Sequence, residues 1–303
     1  MPTASLILPR PFEGEAWSGK EPLRAPSEAS FVQAFGQRLP SASFMQTSWG
    51  AAAYYELPPS TSPPKNTPNP IERIVFVHGV QTPAIGMQPL ASALQSRFPY
   101  AYCVLVDLWG HGLSDTPVVE FGPMRFHELI DSLIMTLNWD DAHFVGYSFG
   151  GSTVASFTAL RSTLVKSMAL VAPAGLLRQE ELTDEQKGYM RGERVARGEI
   201  VAEAVRDWQM KNHEGHLPSV VAIFRDGGVF DQHDAFKEAA GKGIPNLCVL
   251  GELDALCSVQ DLHDVGMQNV AVVPQVGHGV VRQKVSEVAQ LIDDFWKSLE
   301  KGK

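Results

Sequence analysis

Apolar positions along the chain fall into two alternating patterns. Short, near-continuous apolar runs occur at 73–77, 102–106, 142–145, 166–172, 246–250 and 270–274. Parallel strands covered on both faces read this way, because neither face alternates with solvent. Between the runs lie stretches with helical spacing. Residues 87–97 carry Leu90, Ala91 and Leu94; 124–137 carry Phe126, Leu129, Ile130, Leu133 and Leu137; 285–299 carry Val288, Leu291, Ile292, Phe295 and Trp296. The alternation predicts an α/β fold: a mostly parallel, doubly wound sheet with helices on both sides.

Four stretches break the rhythm. Residues 1–42 are proline-rich and polar, and predict an irregular N-terminal arm with one short helix at 31–36. Residues 43–49 and 51–57 flank Gly50 and predict a hairpin. The connection 58–70 holds six prolines and predicts a stiff surface link. From 176 to 243 the strand pattern stops and charge rises, with Arg178, Glu180, Glu181, Asp184, Glu185, Lys187, Arg191, Glu193 and Arg194. A helical pattern runs through 196–210. This span predicts a helical cap inserted into a core domain made of 43–175 and 244–303.

Composition narrows the function classes. The 303 residues, 44% hydrophobic, suffice for a large core. The net charge of −9 and the lack of a dense Lys/Arg run argue against a nucleic-acid partner. No 18-residue apolar stretch predicts a membrane span. The first nine residues lack the charged and apolar regions of a secretory signal. Cys103, Cys248 and Cys257 show neither metal-ligand spacing nor a disulfide framework. These features predict a cytoplasmic protein, monomer or homodimer, that needs no metal or cofactor and acts on a small molecule.

The chemistry starts at Gly146-Tyr147-Ser148-Phe149-Gly150-Gly151. By chance, a bare G-x-S-x-G arises in about one chain of this length in ten, so context decides. Here an apolar run leads in, and the small and apolar residues 152–160 lead out as a helix. That is the strand–turn–helix of a nucleophile elbow. Its turn strains the serine backbone, and Gly146 and Gly150 remove side chains where backbone passes close. Ser148 Oγ is then exposed at a strand end, beside the N-terminus of a helix.

Serine needs a base, and the base an orienting acid. Among nine histidines, His278 follows a strand and lies between glycines. His111, in Gly110-His111-Gly112, is the rival base. His127, His143, His213, His216, His233 and His263 are expected on the surface or on helices. Asp254 ends the 246–250 strand and is the expected acid. Asp107 ends another strand and is expected to tie down the glycine-rich loop after it.

In this arrangement the chain resembles the α/β-hydrolase fold superfamily, in its cap-bearing branch of small-molecule hydrolases. The resemblance covers about 43–299 and rests on Val77-His78-Gly79, Asp107-x-x-Gly110-His111-Gly112-x-Ser114, the elbow, Gly251-x-x-Asp254 and Gly277-His278. The order Ser148, Asp254, His278 matches the family order of nucleophile, acid and base. The resemblance implies an oxyanion hole from the backbone N–H groups of Phe149 and Val80. His78, Gly79, Trp109 and Tyr147 are the expected pocket residues, with Trp109 and Phe149 supplying apolar surface. The long arm and the proline-rich link exceed the family's minimal pattern, and Trp109 stands where the family often has proline.

Family members with an aspartate nucleophile open epoxides or displace halides. Ser148 argues against both, because a seryl ether could not be released by the same chemistry. The expected activity is hydrolysis of an ester, lactone or thioester of a small to mid-sized apolar molecule. Carbon–carbon hydrolysis of a diketone-like substrate is the alternative, and a non-catalytic ligand-binding member of the fold is the third reading.

Overall fold

The computed structural model describes residues 7–10, 21–184, 186–187 and 200–301. The strands follow the apolar runs: β1 Ser43–Thr47, β2 Gly50–Leu57, β3 Arg73–Val77, β4 Tyr102–Val106, β5 Ala142–Tyr147, β6 Val165–Val171, β7 Asn246–Gly251 and β8 Val270–Val273. They form one eight-stranded sheet in the order β1-β2-β4-β3-β5-β6-β7-β8. The hairpin β1–β2 is antiparallel, and β2 joins β4 antiparallel. All pairs from β4 to β8 are parallel.

Alternation along each strand sends side chains into two cores. Val75, Val77, Val104, Val106 and Phe144 face α3 (Pro123–Thr136) and α4 (Phe149–Arg161), packing against Phe126, Leu129, Leu133, Val154 and Phe157. Ile74, Phe76, Cys103, Leu105 and Val145 face α2 (Gln88–Arg97) and the last helix, α10 (Val285–Glu300), where Val288, Ile292 and Trp296 are fully buried. Each such large apolar side chain contributes about 1.5–3 kcal/mol by leaving water. The remaining expected helix of the arm is α1, Glu28–Phe35, capped by Ser27, whose Oγ accepts from Ser30 N–H.

Among its described residues, the span 176–243 includes the helices α5 Ile200–Asn212, α6 His216–Asp226 and α7 His233–Gly241. The expected helical pattern begins at Ala196, and residues 196–199 lie outside the described residues, as do Glu185, Arg191, Glu193, Arg194 and most of the arm before Glu21. Helix α7 packs on α4 and buries Phe236 in the same core as the sheet. Helix α5 is held from the arm: Trp208 lies edge-on to Phe31 and Phe35, with ring centroids 5.3 and 5.7 Å away. The short helices α8 (Val259–Asp264) and α9 (Val280–Gln283) complete the chain. No described helix is long and apolar enough to cross a membrane.

Close packing at the elbow makes one glycine irreplaceable. A Cβ on Gly150 would fall 2.1 Å from the carbonyl oxygen of Val77 and 2.6 Å from that of His78. Both are backbone atoms of β3 and its exit, so neither yields by rotating a side chain. Gly150→Ala should destabilise the fold by about 3 kcal/mol or more. Gly241→Ala, where a Cβ meets nothing within 4 Å, should be neutral or slightly stabilising. Urea midpoints of the two variants test the contrast, and equal midpoints would refute it.

Candidate active site

Sheet order brings distant segments to one edge. Ser148 follows β5, Asp254 follows β7, His278 follows β8, and His78 follows β3, all at the carboxyl ends of parallel strands. Ser148 holds φ 53° and ψ −119°, a left-handed conformation that serine adopts only under constraint. The constraint is visible. Ser148 N–H donates to Val171 O on β6, and Ser148 O accepts from the N–H groups of Gly151, Ser152 and Ala174. A Cβ on Gly146 would fall 2.5 Å from Gly150 O, so the turn closes only with glycine there.

The three expected side chains meet. Ser148 Oγ lies 2.9 Å from His278 Nε2 and donates to it. His278 Nδ1–H donates to Asp254 Oδ2 at 3.0 Å and reaches Oδ1 at 3.3 Å. The carboxylate selects the Nδ1–H tautomer, leaving Nε2 as the acceptor that a serine proton needs. The Asp254 side chain is fully buried, and its Oδ1 also accepts from Leu256 N–H at 2.9 Å. His278 is fixed from behind: Tyr147 Oη donates to its carbonyl at 3.1 Å. The arrangement is a serine hydroxyl hydrogen-bonded to an imidazole whose other nitrogen is held by a buried carboxylate.

The segments that carry the two expected backbone donors meet at Ser148. Phe149 opens α4, so its N–H has no acceptor within the helix. Gly79 crosses directly over the serine, since a Cβ there would lie 2.9 Å from Ser148 Cβ. Val80 follows it and is half-buried. The loop is held by Asp107, whose Oδ1 accepts from Ala84 N–H, and whose Oδ2 accepts from Leu113 N–H and Tyr55 Oη. Burial raises the Asp107 pKa to about 6.

Several expected pocket residues lie elsewhere. Trp109 is fully buried, with its indole N–H on Arg125 O, so it belongs to the core and not to a surface open to a ligand. Phe149 likewise turns inward, edge-on to Phe126 at 5.0 Å. His78 is buried with both ring nitrogens taken by backbone: Nδ1–H donates to Gly79 O, and Nε2 accepts from Leu108 N–H. His111, the rival base, is occupied in the same way, donating to Trp109 O and accepting from Gln81 N–H.

Of the histidines expected on the surface or on helices, His127, His216, His233 and His263 lie on helices, while His143 is on β5 and His213 lies between α5 and α6. His127, His143, His213 and His216 are buried. His213 Nε2–H donates to Ser114 O and His216 Nδ1–H to Gly110 O, which docks the turn between α5 and α6 on the loop after β4. His127 pairs with Ser156 Oγ and His143 with Ser167 Oγ. Burial lowers the pKa of each, to about 4 for His78, His127 and His216 and to about 3 for His143. All stay neutral near pH 7. Among the described residues, no set of three or more His, Cys, Asp or Glu side chains is placed to hold a metal ion. A second residue that local motifs do not reveal is Gln209 on α5. It is fully buried and touches the loops after both β3 and β4.

A mostly parallel eight-stranded sheet with a serine at a strained strand–helix turn defines the hydrolase class to which the fold belongs. The chain belongs to the alpha/beta hydrolase family, whose model matches residues 74–291. Among known proteins, it is similar to 2-(acetamidomethylene)succinate hydrolase of Mesorhizobium japonicum, 32% identical over 98 residues that cover 32% of this chain and 34% of that one. The match thus spans about a third of that relative. Monoacylglycerol lipase abhd6-B of Xenopus laevis is 22% identical over 236 residues, covering 66% of this chain and 68% of that one. Among solved structures, haloalkane dehalogenase DbeA of Bradyrhizobium elkani USDA94 superposes with a TM-score of 0.70 at 18% identity, covering 87% of this chain and 99% of that one. At that identity the likeness concerns the fold alone.

Proposed function

We propose that the protein is a serine hydrolase that cleaves an ester, lactone or thioester bond of a small to mid-sized molecule through an acyl-enzyme. The observation that carries the reading is the hydrogen-bonded series from Ser148 Oγ through His278 to Asp254. Ser148 attacks the substrate carbonyl as His278 Nε2 takes its proton. The imidazolium formed is stabilised by the Asp254 carboxylate, and the N–H groups of Phe149 and Val80 hold the oxyanion. His278 then protonates the leaving group. Water, deprotonated by His278, attacks the acyl-enzyme and releases the acid and Ser148. Preset donors of this kind are worth about 3–4 kcal/mol each. Trp109 and Phe149 lie in the core, so neither supplies an apolar wall for the substrate.

An activated alkylphosphonate should attach covalently to Ser148, read as a mass shift on the peptide that contains it. Folded protein left unlabelled at Ser148 would overturn the reading and favour a ligand-binding member of the fold. A p-nitrophenyl ester set beside a vinylogous diketone ranks ester cleavage against carbon–carbon cleavage.

A further inference from the structure

The Val80 turn is not self-supporting. Gln81, the next residue, holds φ 69° without being glycine. Such a conformation costs free energy and persists only where neighbours hold it. Two side chains from outside the loop do so. Gln81 N–H donates to His111 Nε2 at 3.1 Å, and Gln81 O accepts from Gln209 Nε2 at 2.8 Å.

Gln209 comes from α5, in the insertion. Its other amide atom is also engaged: Oε1 accepts from Gly112 N–H at 2.7 Å. The residue is fully buried, and both partners are backbone groups of different loops. The amide fits in one orientation only, since a flip would set its NH2 against the Gly112 N–H and its oxygen against the Gln81 carbonyl. One side chain therefore ties the loop after β3, the loop after β4 and α5 into one unit. Helix α5 is seated in turn by Trp208 against Phe31 and Phe35 of α1.

We propose that Gln209 is a positioning residue for the hydrolytic reaction: it fixes the turn that presents Val80 N–H, so the oxyanion donor is in place only when the inserted helix is seated. This rests on the serine hydrolase reading given above. Gln209 touches no reacting atom in the proposed steps and acts through the Gln81 peptide. A residue with that role moves turnover and leaves substrate affinity largely alone, because the oxyanion exists only in the transition state.

The test compares the parent protein, Gln209→Met and Gln209→Asn with p-nitrophenyl butyrate and with a p-nitrophenyl alkylphosphonate. Gln209→Met should lower kcat about 10²-fold, with KM within threefold and phosphonylation of Ser148 slowed in parallel. Gln209→Asn keeps a buried amide on a shorter stem. It should lower kcat by a smaller factor with the same pattern, and it carries the test should the Met variant fail to fold by circular dichroism. Asn212→Ala, on the same helix but exposed, should leave kcat unchanged. A variant that folds with kcat within threefold of the parent, or that raises KM with kcat intact, would overturn the proposal while a labelled parent left the hydrolase reading standing. A parent unlabelled at Ser148 would overturn both.

Discussion

Ser148→Ala should lower turnover of p-nitrophenyl butyrate by about 10⁶-fold while the protein stays folded. The size follows from how the three side chains act. His278 and Asp254 have no proton to move once the hydroxyl is gone, so removing the serine silences all three together. On the proposed mechanism, what survives is the electrostatic pull of the Phe149 and Val80 donors on bound substrate, worth about 10³–10⁴-fold over water. The fold should tolerate the change, because alanine keeps the Cβ that serine already places beside Gly79 and adds no new atom. Activity within tenfold of the parent would remove Ser148 from the nucleophile's role.

Acid should unfold the protein steeply, and earlier than its carboxylates alone would dictate. Six histidines are buried neutral, with folded pKa values below the ordinary 6.5: His78, His111, His127, His143, His213 and His216. Burial is the main cause in each. The sign is fixed by which state takes protons. Below about pH 6.5 the unfolded chain binds them at these rings and the folded chain does not, so stability is full above 6.5 and falls as pH drops towards 4. Asp107 opposes this by one proton: its raised pKa, about 6, lets the folded state bind a proton that the unfolded chain takes up only near 3.8. Each net proton steepens the loss by about 1.4 kcal/mol per pH unit. Several together outrun a marginal stability of about 5–15 kcal/mol within roughly two pH units. Urea midpoints at pH 7.5, 6.0 and 5.0 should fall progressively. A midpoint unchanged at pH 5.0 would refute the linkage.

The sheet was legible in the sequence because its strands are buried on both faces. Ile74–Val77 and Cys103–Val106 have no polar position to confuse with a helix or an exposed strand. The elbow was legible because its glycines sit at a fixed spacing around the serine, where Gly146 meets Gly150 O and Gly150 meets Val77 O. Side-chain direction was less so. Phe149 opens α4, and the first turn of that helix lies over α3, which sends the ring to Phe126 and away from the serine. Trp109 goes the same way, because its indole N–H finds Arg125 O. The buried histidines and Gln209 carry no local mark at all. Their partners are carbonyls, N–H groups and hydroxyls 24 to 128 residues distant in the cases of His143, His127, His213, His216 and Gln209. A lone polar residue on a helix reads as solvated until the opposing loop is known.

The distance along the chain between Ser148 and His278, 130 residues, has a consequence for biosynthesis. At about 5–20 residues per second, the ribosome adds that interval in on the order of ten seconds. On the proposed mechanism, the nascent polypeptide carries its nucleophile without a base for all of that time. Reactive competence therefore arrives late in translation, with the last strand of the sheet, and a chain stalled before His278 holds an inert alcohol.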